Sequence, residues 1–163
     1  MSFFEGILNK HLLMRVVAQR VTSAAVSIEG KLSGKIGIGM VVLVGIEEGD
    51  CSGDVEWLCG KLSKMRIFSD DDNAMNLDIV QVGGAFLVIS QFTLHAMTKK
   101  GNRPSFIRAA RPEKAEPLYE MFLRCLADTS GCIVEHGIFG ADMQVSLVND
   151  GPVTIIIDSK NRE

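Results

Sequence analysis

The sequence predicts an α/β fold: a single sheet-rich domain with two helices. Three observations carry that expectation. Apolar runs of strand length recur along the chain, at 14–21, 40–46, 85–90, 143–148 and 153–157. Two longer stretches repeat their apolar residues at three- and four-residue spacing, as amphipathic helices do. Sixteen glycines against four prolines place many turns between short strands, and 163 residues with 47% hydrophobic content suit one domain with a real core.

Residues 1–13, MSFFEGILNKHLL, show no pattern continuous with the strand that opens at Met14 and read as an N-terminal extension. They lack the basic start and long apolar segment of a secretion signal. The strand from Met14 reads MRVVAQRV. Residues 23–29 alternate, with Ala24, Val26 and Ile28 on one side and Ala25, Ser27 and Glu29 on the other, as in a half-buried strand. Gly30-Lys31 turns the chain into a hairpin with 32–36. Met40–Ile46 has no polar alternation and is expected to be covered on both faces. The first helix follows Asp50, with Asp50 or Ser52 as its cap and Val55, Leu58, Cys59, Leu62 and Met65 as its buried stripe; Trp57 lies beside the stripe as a packing residue.

A short strand is expected at 66–68. The loop SDDDN at 69–73 has three adjacent carboxylates, but calcium loops alternate their ligands, so it reads as a solvated turn. Gly83-Gly84 leads into the buried strand 85–90. Pro112 is placed to begin the second helix, with Glu113 and Glu116 in its first turn and Ala115, Leu118, Phe122, Cys125 and Leu126 as its stripe. Tyr119 reads as packing. A short strand at 132–136 precedes the last apolar runs. Those runs flank Asn149-Asp150-Gly151-Pro152. Because Pro152 has no amide proton, the strands are expected to stop there, and a tight hairpin turn is the plain reading.

Several function classes are disfavoured. The net charge of −3 gives no global attraction for nucleic acid, although Lys99, Lys100, Arg103, Arg108, Arg111 and Lys114 cluster against one acid, Glu113, and could hold phosphate. Cys51, Cys59, Cys125 and Cys132 form no close pair, so there is no zinc or redox signature, and a reducing cytoplasm is the simplest home. No run is long enough to span a membrane. No phosphate-binding loop or dinucleotide fingerprint occurs, since Gly83-Gly84 precedes its strand. The polar ends of two apolar strands, Ser90–Thr93 and Asn149–Pro152, are the candidate site. Ser90 or Thr93 needs a base to act as a nucleophile. His95 is close in sequence, and Asp142 or Asp150 could serve, but backbone hydrogen bonding is the simpler use of both hydroxyls.

SQFTL at 90–94 together with NDGPVT at 149–154 resembles the D-aminoacyl-tRNA deacylases (the D-tyrosyl-tRNA deacylase family). The likeness extends to MRVVAQRV, MNLD at 75–78, GNRPSF at 101–106, RPEKAEPLYEMF at 111–122 and FGADMQVSLVNDGPVT at 139–154. His95 stands where many relatives have tyrosine, which leaves that side chain without an assigned role. The resemblance implies a deacylase domain over 14–159 and a tail at 160–163. It implies a three-layer α/β/β arrangement, two packed sheets with two helices covering one face, assembled as a homodimer. The implied reaction is hydrolysis of the ester between a D-amino acid and the 3′ end of tRNA, with glycyl esters also cleaved and no metal or cofactor. The implied catalytic corner is Ser90, Gln91, Phe92 and Thr93. Met143, Asn149, Gly151 and Pro152 would bind substrate and exclude L-isomers through a cis Gly151-Pro152 presented across the dimer. Lys99, Lys100 and Arg103 would meet tRNA, the 2′-hydroxyl of the terminal adenosine would assist, and neither DNA nor a membrane is expected as a partner. Three rivals remain: an esterase with Thr93 as covalent nucleophile, a non-catalytic tRNA-binding homodimer, and a purely structural homodimer.

Overall fold

The structure, a computed structural model, describes residues 14–163; the expected extension at 1–13 lies outside the described residues. The elements run in the order β1 (Arg15–Ile28), β2 (Lys31–Ile36), β3 (Gly39–Gly45), α1 (Ser52–Lys64), β4 (Phe68–Ser69), β5 (Met75–Leu77), β6 (Ala85–Ser90), a 3-10 turn (Phe92–His95), α2 (Pro112–Ser130), β7 (Val134–His136) and β8 (Gln144–Asp158). Six strands form one mixed sheet, ordered β2-β1-β3-β6-β7, with β8 added to β1; β4 and β5 make a separate two-stranded sheet. Strands β3, β6 and β7 run parallel to one another, and the remaining pairings are antiparallel. The large sheet curls until its ends nearly meet, and the Ser33 hydroxyl of β2 donates to the His136 carbonyl of β7 at 3.2 Å.

The curl creates two cores and explains the unbroken apolar strands. Met40, Val42 and Val44 of β3 and Phe86 and Val88 of β6 face the helices. The alternate residues Val41, Leu87 and Ile89 face inward, against Val21, Ala24, Val26 and Ile36. Helices, one leaf of the sheet and its opposing leaf therefore make three layers, as expected. β1 serves both cores by changing phase. Val16 and Ala18 join the helix side, whereas Ala24 and Val26 join the inner side, across a register shift between Val21 and Ser23. What read as two strands is thus one bent strand.

The largest correction concerns Pro152. The chain does not turn back there. β8 is one fifteen-residue strand whose two halves both pair with β1. Gln19 pairs with Thr154 and Val21 with Asn149, which leaves three residues more than a regular ladder needs, and these project as a bulge. Proline is admissible because β8 pairs on one side only and the bulged residues are out of the ladder. The Gly151–Pro152 peptide bond is cis.

Smaller differences have local causes. The α1 N-cap is Cys51, neither Asp50 nor Ser52. The Asp54 carboxylate accepts from the Cys51 amide at 2.9 Å, while Asp50 accepts from the Glu47 amide at 2.7 Å. On α2 the buried stripe includes Tyr119 and Leu123 in place of Leu118 and Cys125. Asp70 folds the acidic loop on itself by accepting from the Asp72 and Ala74 amides. The chain end is docked: Ser159 Oγ donates to Asp54 at 2.7 Å, and Lys160 Nζ reaches Asp50 at 3.2 Å. Among the described residues no helix is long and apolar enough to cross a membrane.

Candidate active site

A cavity of about 520 Å³ opens where the parallel strands β3 and β6 end, and Val44, Ile46 and Ser90 form its floor. Carboxyl ends of parallel strands commonly carry sites, because the chain must leave the sheet there and its loops diverge. The departure is visible in the hydrogen bonds. The Gln91 amide still donates to Val44 O at 2.8 Å, extending the ladder by one residue, and the next four residues wind into the 3-10 turn. Gln91, Phe92 and Thr93 make one wall of the cavity. Phe106, Ala109 and Ala110 make a second wall, continued by the start of α2. Phe139, Gly140, Ala141 and Met143 close the third side. The rings of Phe92 and Phe106 meet edge to face, 5.1 Å between centroids, so the first two walls touch across the cavity.

The lining is mostly apolar, with polar groups concentrated at the 90–93 corner. Gln91 Nε2 donates to the Thr93 hydroxyl oxygen at 2.9 Å. His95 ends the same turn, but its Nδ1 lies 3.0 Å from Glu47 Oε1, so the ring is committed to that carboxylate. The Cys59 thiol is fully buried among core residues, and desolvation pushes its pKa well above the ordinary range, so it stays a thiol and fills space.

The structure brings Ser90, Gln91, Phe92, Thr93 and Met143 to one cavity. It places Asn149, Gly151 and Pro152 elsewhere, on β8, with Gly151 and Pro152 exposed. Their bulge is firmly held. Asn149 Nδ2 donates to the carbonyls of Arg20, at 3.0 Å, and Val153, at 2.9 Å, and so staples its base. Arg20 is 8% exposed; its Nε lies 3.2 Å from the Asp150 carboxylate and its Nη1 donates to Ile67 O at 2.6 Å. Gly151 sits at φ +121°, where an L side chain is strained, and an added Cβ would lie 2.9 Å from Val153 Cγ2. Lys99, Lys100 and Arg103 occupy an exposed loop closed by a reciprocal backbone pair between Met97 and Ser105, at 2.8 and 2.9 Å. They do not line the cavity. The wall from Phe106 to Ala110, the Phe139 side and the buried Glu47 were not marked by any local pattern.

A mixed, nearly closed sheet backed by two helices, with an apolar cavity at the ends of two parallel strands, defines a single-domain α/β protein. The sequence model of D-Tyr-tRNA(Tyr) deacylase matches residues 17–158. The D-aminoacyl-tRNA deacylase of Akkermansia muciniphila is 61% identical over 150 residues, covering 92% of this chain and all of the relative. The D-aminoacyl-tRNA deacylase of Flavobacterium johnsoniae is 55% identical over the same share of both chains. Among solved structures, a c-Myc DNA unwinding element binding protein superposes with TM-score 0.83 at 38% identity, covering 88% of this chain and 97% of that one. A probable eukaryotic D-amino acid tRNA deacylase shares the fold with TM-score 0.77 at 16% identity, over 90% of this chain and all of that one. The chain belongs to the D-aminoacyl-tRNA deacylase family, a family of hydrolases.

Proposed function

We propose that this protein hydrolyses the ester joining a D-amino acid to the 3′ end of tRNA, and glycyl esters likewise, releasing free amino acid and tRNA. The observation that carries this reading is the convergence of Ser90–Thr93 and Met143 on one apolar cavity in a chain of this family. The cavity volume suits an aminoacyl group with its adenosine. The exposed Lys99, Lys100 and Arg103 are proposed to meet tRNA phosphates.

Chirality is the demanding part. Enantiomers have equal hydrophobicity and charge, so only shape about the α-carbon separates them. A backbone carbonyl held in place excludes one hand by clash and accepts the other, and glycine passes because it has no side chain. We assign that role to Gly151 and Pro152 of a second copy, making the working unit a homodimer. This rests on two features: the residues are exposed and outside their own chain's cavity, and Arg20 and Asn149 hold their bulge stiffly. Exposed Val145, Val148 and Ile156 along β8 supply apolar surface for such an assembly.

The chemistry is proposed to draw on the 2′-hydroxyl of the terminal adenosine, with the corner orienting the ester and its backbone amides facing the developing oxyanion. The Gln91 amide is engaged with Val44, which leaves that task to Phe92 and Thr93. Among the described residues the Thr93 hydroxyl meets the Gln91 amide and no base, which favours RNA assistance over a threonine nucleophile. Single-turnover cleavage of matched D-, L- and glycyl-tRNA tests the substrate claim: D and glycyl esters are cleaved and L spared. D-aminoacyl-tRNA lacking the terminal 2′-hydroxyl should bind normally and react far more slowly, while Thr93→Ala keeps substantial activity. A trapped acyl-threonine, or abolished cleavage by Thr93→Ala with an unaffected deoxy substrate, selects the covalent esterase instead. Retention of charged tRNA without hydrolysis selects a binding module.

A further inference from the structure

We infer that His95 is a positioning residue, acting through buried Glu47 to hold the Ser90–Thr93 corner at its working distance from the Phe106–Ala110 wall. The inference rests on the deacylase reading and gives a role to a side chain which that reading leaves idle.

His95 is 2% exposed and Glu47 fully buried. One carboxylate oxygen, Glu47 Oε1, meets His95 Nδ1 at 3.0 Å and Arg108 Nη2 at 2.8 Å. His95 Nε2 has no hydrogen-bond partner among the described residues, and the ring lies against Gly45, where an added Cβ would come within 2.9 Å of Nε2. The ring is thus seated by the sheet on one side and set against the Glu47 carboxylate on the other.

The two side chains that meet this oxygen belong to opposite walls. His95 ends the turn that carries Phe92 and Thr93. Arg108 lies beside Ala109 and Ala110. That wall is also clamped at the backbone, through a bridge between Glu47 and Ala109 and the Ala110 amide donating to Ile46 O at 2.8 Å. Glu47 itself is held by Asp50, which accepts from its amide. A buried carboxylate with a charged partner adds little net stability over an apolar filling, so stability alone is a poor reason for this arrangement. What it does supply is a fixed separation between two walls. Arg15, whose Nη1 donates to Leu94 O at 3.1 Å, steadies the same turn from the other side but does not reach the second wall.

The test compares His95→Asn, whose amide can donate from the place of Nδ1, with His95→Leu, which fills similar space without a donor. Gly45→Ala displaces the ring by a separate route and leaves Glu47 and Arg108 intact. Each variant is measured for single-turnover cleavage of D-aminoacyl-tRNA, for tRNA binding, and for amide exchange at 91–96. His95→Leu and Gly45→Ala are expected to slow cleavage by about tenfold or more, the scale that a small misplacement of reacting groups produces. Binding should be unchanged and exchange at 91–96 faster. His95→Asn should restore both rate and protection. Wild-type rates in His95→Leu and Gly45→Ala, or losses in all three variants that track only their melting temperatures, overturn the inference. If the wild-type protein leaves D-aminoacyl-tRNA intact, the deacylase reading fails instead. Exchange then decides the tie alone: unchanged protection in His95→Leu overturns it, and faster exchange upholds it.

Discussion

Tyr119 keeps a hydroxyl in the helix-side core, 1% exposed, because that hydroxyl donates to the Val88 carbonyl at 3.0 Å. The same carbonyl also accepts from the Gly137 amide, at 3.4 Å, so removing the hydroxyl leaves no orphaned acceptor. Tyr119→Phe should therefore lower stability by only about 1 kcal/mol, the net worth of one neutral hydrogen bond. Urea unfolding gives the number, and the cleavage rate should not change, since Tyr119 stands behind Phe139 and outside the cavity. Individual side chains differed in how far the sequence disclosed them. Cys59 was recognisable as a core thiol because its helix neighbours repeat at the right spacing. Glu47, His95 and Arg108 were not recognisable as a set: nothing in a local pattern tells a carboxylate in a loop that it will be buried between two side chains from distant segments.

At the scale of elements, β3 can begin where it does only because residue 39 has no side chain. A Cβ there would lie 1.8 Å from the Ala85 carbonyl oxygen, which is backbone and cannot step aside. Gly39→Ala should disrupt the β3–β6 pairing and with it the cavity floor, seen as a large fall in melting temperature or as insoluble protein; near-native stability would show that the strands can part at little cost. The sequence made these two strands legible because their residues are apolar on both faces. The helices were equally legible by their spacing, apart from a shift of stripe on α2 from Leu118 to Tyr119. Continuity through Pro152 was hidden, because proline forbids a central strand and only the assembled sheet reveals that β8 lies at an edge. The 90–93 corner announced itself by polar residues at the end of an apolar run, whereas its partner walls come from segments that fold onto it from far along the chain.

For the whole molecule, charge and symmetry set the expectations. The protein is acidic overall, so tRNA must be drawn by a local patch. Lys100→Ala or Arg103→Ala should weaken tRNA binding and reduce its salt dependence, by about one unit of slope or less for each phosphate left without its cation. Binding titrations across a salt series report this directly, and an unaltered slope would show that neither side chain meets the RNA backbone. The bulge on β8 has a further consequence, of a genetic kind. Its three extra residues lie between two fixed points of one ladder, so deleting Asp150–Pro152 should close β8 into a regular strand and spare the fold. A chain so shortened keeps its cavity and lacks the projection; a chain disabled at the 90–93 corner has the reverse defect. If the projection of one copy serves the cavity of another, the two dead variants should complement each other when refolded together. An equal mixture should regain about a quarter of wild-type activity, because half of randomly paired twofold dimers are hybrids and each hybrid restores one of its two sites. Two inactive parents that stay inactive together, despite forming hybrids, would place the projection's function within its own chain.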